Sequence, residues 1–289
     1  MTKKTEFNKV AIIGLGLIGS SLARALKASK RVKKVFGVDT DEDTIEYALK
    51  SKIIDGGSRE IAAGASGAEI IVIATHVGDI VETAWAVIPL AAKGTVITDV
   101  GSVKGKIVRG VEKAIPSHIH FVGGHPIAGT ENSGVRAGDA HLFLGKRFIL
   151  TPTQKSDPKA KKKVAALWKA AGSDVYEMDV DTHDRVFGFV SHLPHLVAYS
   201  LIDAVLSARD SDTLFEYAGG GLRDFTRIAA SSPALWTDIF KSNKRHLITA
   251  LRKFKKSLAR LEAAIENDDP ESLRKNLSRI VDIKRKGVK

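Results

Sequence analysis

Near its N-terminus the chain reads Val10-Ala-Ile-Ile-Gly-Leu-Gly-Leu-Ile-Gly19, and this stretch decides the fold. Its four leading apolar residues predict a buried strand, and the residues that follow Gly19 have helical spacing. In this GxGxxG arrangement Gly14 permits a tight turn, Gly16 lets a pyrophosphate approach the backbone, and Gly19 lets the helix pack closely on the strand. Free N–H groups at the start of the helix would face the phosphates. The stretch therefore predicts a dinucleotide-binding unit.

A second apolar strand, Lys34-Val-Phe-Gly-Val38, ends in Asp39, twenty residues after Gly19. A carboxylate at this distance can accept hydrogen bonds from the adenosine ribose of NAD. The next residue is Thr40 rather than a cation, so a 2′-phosphate would meet only negative charge. NAD is therefore the expected cofactor; a flexible glycine-rich turn or a signal peptide explains these features less well. The predicted cofactor-binding residues are Gly14, Gly16, Leu17, Ile18, Gly19, Asp39, Thr75 and Ser102.

Composition limits the class of protein. The chain has 289 residues, no cysteine and a net charge of +12. This length allows two domains, and the lack of cysteine excludes disulfides and thiol catalysis. We see no run of about 18 apolar residues and expect a cytoplasmic protein without a membrane span. Nucleic-acid binding would explain the positive charge, but no nucleic-acid-binding motif accompanies it. We favour a basic surface that attracts small anions.

The chain changes character at about Asp181. Before it, strand and helix patterns alternate, which predicts a parallel sheet with helices on both faces. After it, apolar residues recur every three or four positions, as in helices. We expect an α/β protein with a Rossmann-like dinucleotide-binding domain over residues 1–181 and an all-α domain over 182–289. A long apolar stripe that begins at Ser232-Pro233 predicts contact with a second subunit, although packing within the chain would also explain it.

Residues able to do chemistry form three clusters outside the glycine-rich turn. Asp99-Val-Gly-Ser-Val-Lys104 and Gly123–Glu131 each follow a predicted strand, where open α/β sheets bind ligands. The third cluster is helical and begins with Ser191-His-Leu-Pro-His195. His125 lies in a loop between glycines and a proline, so it is the best candidate for acid–base work. Ser102 could hydrogen-bond the cofactor, His125 or both.

Other roles for these residues are less well supported. A serine nucleophile is disfavoured because no GxSxG motif is present. His192 and His195 could form half of a metal site, but no third ligand has matching spacing, so we expect no metal. Arg227 could bind a carboxylate through two hydrogen bonds or form a surface ion pair. The histidines interpreted as surface or structural residues are His118, His120, His141, His183 and His246.

Five motifs, GLGLIG, DVGSVK, GGHPIAGTE, SHLPH and GGGLRDFTRIA, resemble in order and spacing those of the prephenate/arogenate dehydrogenase family of tyrosine biosynthesis. The resemblance covers nearly the whole chain. It implies a dinucleotide-binding domain, a helical dimerisation domain and an active site between them. It also implies a homodimer that oxidatively decarboxylates prephenate to 4-hydroxyphenylpyruvate with NAD, or arogenate to tyrosine, without a nucleic-acid or membrane partner. With no room for a fused chorismate mutase domain before Val10, we expect a monofunctional enzyme.

The same resemblance assigns roles to individual residues. His125 matches the family's catalytic histidine, and Ser102 matches the serine that orients it and contacts the nicotinamide. The positions that match substrate-binding residues are Ser191, His195, Gly220, Arg227 and Trp236. Glu131 and Asp224 match acidic residues of an ionic network near the site entrance. One departure is His76, which stands where we expect a proline in a loop beside the cofactor.

Two other functions are compatible with part of the sequence. A β-hydroxyacid dehydrogenase also joins a dinucleotide-binding domain to helices, but it needs a catalytic lysine in the helical half, and no motif marks one. A non-enzymatic dinucleotide-sensing protein would explain the glycine-rich turn. It would leave the GGHPIAG and SHLPH motifs unexplained.

Overall fold

A computed structural model describes residues 5–130 and 132–287. The chain divides into two compact units, residues 1–243 and 244–289. The first unit holds a sheet and the helices that follow it, and the second holds two helices. The domain boundary that we predict at Asp181 marks the end of the sheet region within the first unit.

The first unit is built on an eight-stranded sheet. Its strands are β1 (Phe7–Ile13), β2 (Val32–Val38), β3 (Gly56–Ser58), β4 (Ile70–Ile73), β5 (Val96–Asp99), β6 (His120–Pro126), β7 (Arg147–Thr151) and β8 (Asp174–Glu177). They lie in the order β3-β2-β1-β4-β5-β6-β7-β8, and among these pairs only β6 and β7 run antiparallel. The order reverses between β1 and β4, so a crevice forms at their carboxyl ends, where such sheets bind ligands.

Helices cover both faces of the sheet, and the strand residues alternate between two apolar cores. The helices along this region are α1 (Leu17–Ser29), α2 (Glu42–Lys50), α3 (Ile61–Ala65), α4 (Ile80–Val87), α5 (Gly105–Val111) and α6 (Pro158–Ala170). On β1, Val10 and Ile12 contribute to one core, whereas Ala11 and Ile13 contribute to the other. A strand buried on both faces in this way is typical of parallel sheets. The predicted α/β architecture is confirmed.

The rest of the chain is helical, as predicted. The first unit continues with α7 (Val180–Phe187), a π-helical turn (Gly188–His192), α8 (Leu193–Leu206), α9 (Ser211–Glu216), α10 (Gly220–Thr226), a 3₁₀ turn (Arg227–Ala230) and α11 (Pro233–Ser242). The second unit consists of α12 (Lys244–Glu266) and α13 (Pro270–Gly287). The apolar stripe that begins at Ser232 is therefore divided between two helices. The break falls at Asn243, whose buried side chain donates to the backbone oxygen of Asp184.

The short strand β3 was not predicted. Its residues Gly56-Gly-Ser58 have little preference for strands, so no local pattern marks them. Packing explains why small residues are needed there, because a Cβ atom at Gly57 would lie 2.6 Å from the Cγ2 atom of Ile45. Long-range pairing with β2 therefore creates this strand.

By length and composition only, one helical run is apolar enough to cross a membrane. This run, Val180–Leu206, comprises α7, the π-helical turn and α8. Length and composition are weak grounds for a span, because helices of soluble proteins pass the same test. Polar residues of this run, among them His183 and Asp184, form hydrogen bonds with residues at the edge of the sheet. These bonds make the run part of the folded first unit.

Candidate active site

The glycine-rich turn between β1 and α1 forms a cradle for a dinucleotide. Gly14 has a φ of +93°, and a Cβ atom there would lie 2.6 Å from the backbone oxygen of Ala74. A Cβ atom at Gly19 would lie 1.9 Å from the backbone oxygen of Gly14. At Gly16, by contrast, a Cβ atom would meet no described atom within 4 Å. Packing therefore requires two of the glycines, and the third faces open space that a pyrophosphate can enter.

Three further predicted cofactor contacts lie in or beside this turn. Leu17 and Ile18 begin α1, so their backbone N–H groups belong to the first helical turn, where such groups lack partners within the helix. Thr75 follows β4, and its Oγ1 atom is buried without a hydrogen-bond partner among the described residues. An unpaired buried hydroxyl is destabilising unless a ligand or water binds it. These groups fit the phosphates and the adjoining part of NAD.

Asp39 stands directly after β2, as predicted, and contacts the glycine-rich turn. Its Oδ2 atom accepts a hydrogen bond of 2.7 Å from the backbone N–H of Leu15, and its Oδ1 atom accepts one of 3.1 Å from Asp41. A carboxylate has about four acceptor sites. Asp39 can thus hold the turn in place and still accept hydrogen bonds from a ribose.

His125 lies within β6 and not in the loop expected from sequence, because β6 continues through it in antiparallel pairing with β7. Its side chain is almost fully buried. Its Nδ1 atom is 2.8 Å from the Nε2 atom of His183, and the Phe187 ring packs edge-on against it. Burial, followed by the nearby His183, Lys104 and His192, lowers the pKa of His125 well below 6.5. At neutral pH the imidazole is therefore uncharged and able to accept a proton.

His183 contacts His125, and its burial excludes the surface alternative of its interpretation but not the structural one. The side chain is fully buried, and its Nδ1 atom is 2.9 Å from Oδ1 of Asp184. The Asp184 carboxylate also accepts 2.8 Å hydrogen bonds from the backbone N–H groups of Lys104 and Gly105. Burial opposes ionisation of Asp184, but the hydrogen bonds from His183 and the two amides outweigh it and lower the pKa of this carboxyl.

A buried ion pair supports His125 from the other side. Lys104 and Asp99 are fully buried and bonded to each other. The Lys104 Nζ atom also donates to the backbone oxygen of Gly124 at 2.6 Å, while Asp99 accepts a 3.1 Å bond from the Gly124 N–H. Burial lowers the pKa of Lys104, and Asp99 acts against that shift. The pair fixes the residue that precedes His125.

Ser102 is half-buried in the otherwise buried loop between β5 and α5, two residues before Lys104. His125 is its predicted partner, but the Nδ1 atom of that histidine contacts His183. A hydrogen bond from Ser102 to His125 would therefore have to use Nε2. Contact between Ser102 and the nicotinamide remains a prediction.

The SHLPH motif places its two histidines in different surroundings. His195 donates from Nδ1 to the backbone oxygen of Ser191 at 2.9 Å and stacks on Trp236, with ring centroids 3.6 Å apart. His192 instead contacts the Asn243 side chain at 3.0 Å, and burial lowers its pKa to about 4. The two side chains thus form different hydrogen bonds, although both rings contact Trp236. The π-helical turn that carries Ser191 and His192 is a feature often found at functional sites.

Trp236 lies on α11 and carries an unpaired donor. Its Nε1 atom is buried without a hydrogen-bond partner among the described residues. The ring packs in an apolar cluster with Val77 and Val103, which follow β4 and β5 respectively. This cluster joins α11 to the carboxyl edge of the sheet. The predicted pocket residues His195 and Trp236 thus lie together.

The remaining predicted residues that the structure describes are exposed. Gly220 begins α10, Asp224 lies within it, and Arg227 begins the 3₁₀ turn after it. A Cβ atom at Gly220 would meet no described atom within 4 Å, so packing does not require this glycine. Glu131 lies outside the described residues. The part of Arg227 in carboxylate binding and the ionic network remain predictions.

His76, the departure from the expected pattern, lies in the loop between β4 and α4. Its side chain is exposed, and its backbone oxygen accepts a 3.0 Å bond from the N–H of Asp79. The loop also passes close to α11, because a Cβ atom at Gly78 would lie 2.8 Å from Oδ2 of Asp238. The loop therefore forms an ordinary turn with histidine in place of proline.

Solved structures resemble this chain over nearly its whole length. The crystal structure of prephenate dehydrogenase from Aquifex aeolicus, in complex with hydroxyphenyl propionate and NAD+, has a TM-score of 0.91 and 39% identity, over 98% of this chain and 99% of that one. Synechocystis arogenate dehydrogenase has a TM-score of 0.82 and 29% identity, over 96% of this chain and 99% of that one. A 3-hydroxyisobutyrate dehydrogenase of Mycobacterium tuberculosis, at 14% identity and a TM-score of 0.53, shares the fold alone.

Curated relatives and family models agree with these structures. Prephenate dehydrogenase of Bacillus subtilis is 37% identical over 91% of this chain and 72% of its own length. Cyclohexadienyl dehydrogenase of Zymomonas mobilis is 36% identical over 93% of this chain and 92% of its own length. The model of the prephenate dehydrogenase nucleotide-binding domain matches residues 22–177, and that of the prephenate dehydrogenase dimerization domain matches residues 179–279. The resemblance drawn from the five motifs is confirmed, and the chain belongs to the prephenate dehydrogenase family.

Proposed function

We propose that this enzyme catalyses the NAD-dependent oxidative decarboxylation of prephenate to 4-hydroxyphenylpyruvate in tyrosine biosynthesis. The observation that carries the proposal is the state of His125. The imidazole is uncharged, and its Nδ1 atom is engaged by His183, so Nε2 is the nitrogen left to act on a substrate. His125 lies at the carboxyl edge of the sheet, as does the glycine-rich turn, and this is the edge where a dinucleotide would bind.

The reaction requires the protein to orient the substrate and to stabilise the charge that develops on it. When bound, NAD would supply the acceptor for the hydride that leaves the ring carbon bearing the hydroxyl group. His125 accepts a hydrogen bond from that hydroxyl and stabilises positive charge as the hydride departs. The bond to the ring carboxylate then breaks, its electron pair makes the ring aromatic, and carbon dioxide leaves. The product keeps its hydroxyl proton, so in the balanced reaction His125 shares this proton and does not consume it.

The substrate carries two carboxylates, and we assign their binding to the helical part of the site. Arg227 would bind one carboxylate through two parallel hydrogen bonds. His195 and Trp236, stacked on each other, would line the pocket with Ser191 and Gly220. The unpaired indole Nε1 supports this assignment, because a substrate oxygen would satisfy it. Ser102 would contact the nicotinamide, and it could bond Nε2 of His125 only while no substrate hydroxyl occupies that nitrogen. Glu131 and Asp224 would form an ionic network near the entrance.

We further propose that the enzyme is a cytoplasmic homodimer that requires neither nucleic acid nor membrane. The match of residues 179–279 to a dimerization domain supports the dimer. So do exposed apolar side chains on α12 and α13, including Leu258, Ile265 and Ile283, which are each more than half exposed. Light scattering at micromolar concentration should give twice the chain mass of 31.1 kDa. A mass equal to that of one chain would contradict the dimer.

The choice between prephenate and arogenate needs a direct comparison. Relatives of both kinds, a prephenate dehydrogenase and an arogenate dehydrogenase, resemble this chain. The two substrates differ by a keto or an amino group on the side chain. We expect a higher kcat/KM for prephenate when both are assayed with saturating NAD. A higher value for arogenate would reassign the substrate, and no NADH formation from either would refute the proposed activity.

A further inference from the structure

A chain of three side chains leads away from the proposed base. His125 Nδ1 is 2.8 Å from His183 Nε2, and His183 Nδ1 is 2.9 Å from Asp184 Oδ1. His183 and Asp184 come from the first turns of α7, so they reach β6 from a different part of the fold. All three side chains are buried. None of the motifs that carry the family resemblance contains His183 or Asp184.

The donors and acceptors in this chain determine where each proton lies. The ionised Asp184 carboxylate only accepts, so His183 must donate from Nδ1. A neutral His183 then has a lone pair on Nε2, and this lone pair can only accept. His125 must therefore donate from Nδ1, which leaves its own Nε2 without a proton. Free imidazole can place its proton on either nitrogen, and here the chain selects one.

Asp184, at the far end of this series of three side chains, is firmly held. Asp184 Oδ1 and Oδ2 accept from the backbone N–H groups of Lys104 and Gly105 at the start of α5. The backbone oxygen of Asp184 accepts a 2.7 Å bond from the Asn243 side chain. Asp184 is thereby fixed to the loop that follows β5 and to the end of α11. A carboxylate held by three hydrogen bonds, including that from His183, can orient its partner ring.

The charged groups around the two rings favour the neutral state of His183. Burial is the largest influence and lowers the pKa of His183, while the hydrogen bond to Asp184 acts against that shift. Lys104 also lowers this pKa, and Asp99 raises it. With His183 uncharged at neutral pH, the arrangement of donors described above applies.

We propose that His183 and Asp184 are positioning residues that hold His125 in the tautomer with Nε2 free to receive the hydrogen of the substrate hydroxyl. This inference rests on the proposed function and adds two residues to it. His183 also connects His125 to the negative charge of Asp184, so positive charge that develops on His125 during hydride departure is stabilised. Neither residue needs to touch the substrate.

Steady-state kinetics of three variants test the role of His183. His183→Leu removes the acceptor, whereas His183→Gln can place an amide oxygen near the position of Nε2. We expect His183→Leu to lower kcat at least about tenfold with KM for prephenate changed less than about threefold, and His183→Gln to recover most of the loss. Asp179→Ala is the control, because Asp179 caps α7 through the N–H of Thr182 at 2.9 Å but lies outside the chain of side chains. Wild-type kcat in His183→Leu would overturn the proposal, as would an equal loss of kcat in the control.

Nuclear magnetic resonance of the NAD-loaded enzyme, with heavy-nitrogen histidine, reads the tautomer directly. The His125 signals are those absent from a His125→Asn sample. The proposal requires a protonated Nδ1 and a bare Nε2 on His125 in the wild type, and a protonated Nε2 as the main form in His183→Leu. A protonated Nε2 in the wild type would refute it. The wild-type spectrum alone needs neither turnover nor a folded variant of His183, so it still decides the proposal if prephenate proves not to be the substrate or if His183→Leu does not fold.

Discussion

The cofactor preference tests the role of Asp39 most sharply. Asp39 accepts a 2.7 Å hydrogen bond from the Leu15 N–H, and we expect its remaining lone pairs to bind both ribose hydroxyls of NAD. Asp39→Ala removes the ribose contacts and the bond to Leu15 together. Asp39→Asn removes the charge but keeps one oxygen that can accept from Leu15. Comparing the two variants separates cofactor binding from support of the glycine-rich turn.

The expected magnitude follows from the hydrogen bonds that are lost. A hydrogen bond to a charged group contributes about 1.5–3 kcal/mol. Loss of two such bonds in Asp39→Ala should raise the Kd for NAD at least about a hundredfold, because 1.4 kcal/mol corresponds to tenfold. The affinity for NADP should rise relative to that for NAD, because the 2′-phosphate no longer meets a carboxylate. The ratio of the Kd for NADP to the Kd for NAD should therefore fall in both variants.

Calorimetric titration with NAD and NADP provides the measurement. Asp55→Asn is a matched control, because Asp55, like Asp39, accepts from a backbone N–H, in this case that of Val35 in β2 at 2.8 Å, but near the opposite edge of the sheet. The control should bind NAD as the wild type does. A wild type that binds NADP as well as NAD, or an Asp39→Ala variant with unchanged Kd, would show that Asp39 does not face the ribose.

Other predictions concern the base, its titration and the substrate carboxylate. His125→Asn should lower kcat about 10²–10⁴-fold with KM largely kept; near-normal kcat in steady-state assays would transfer the role to His195. Because burial lowers the pKa of His125 well below 6.5, kcat/KM should stay constant as pH falls through 6.5 and decline only at lower pH; a decline centred above 6.5 would contradict this. Arg227→Ala should raise KM for prephenate by the equivalent of roughly 2–5 kcal/mol with the Kd for NAD unchanged. An unchanged KM would make Arg227 a structural residue.

Much of the fold could be predicted from local sequence because the relevant forces are local. The glycine-rich turn needs glycine at positions 14 and 19, where a side chain would collide with backbone. The apolar strands β1, β4 and β5 are short buried runs that few other structures accommodate. Strand β3 and the break at Asn243 depend on long-range contacts instead. A glycine-rich segment paired with β2 and an asparagine bonded to Asp184 leave no periodic signal.

The candidate site was predictable only in part, for the same reason. His125 stands out because glycines and a proline surround it in sequence. His183 stands in an ordinary amphipathic helix, and its role arises only when α7 packs against the end of β6. The supporting contacts of Asp99 and Lys104 likewise connect residues of two different strand ends. Sequence motifs thus identify residues that contact ligands more readily than residues, such as His183, that hold the contacting residues in position.

One measurement tests the proposed activity most directly. Prephenate labelled in its ring carboxylate is incubated with NAD and the wild-type enzyme, and with His125→Asn as the control. NADH, released labelled carbon dioxide and 4-hydroxyphenylpyruvate are then quantified together. The proposed reaction predicts equal amounts of all three from the wild type, at a rate that His125→Asn lowers at least about a hundredfold. NADH without labelled carbon dioxide, or equal rates from the two proteins, would contradict it.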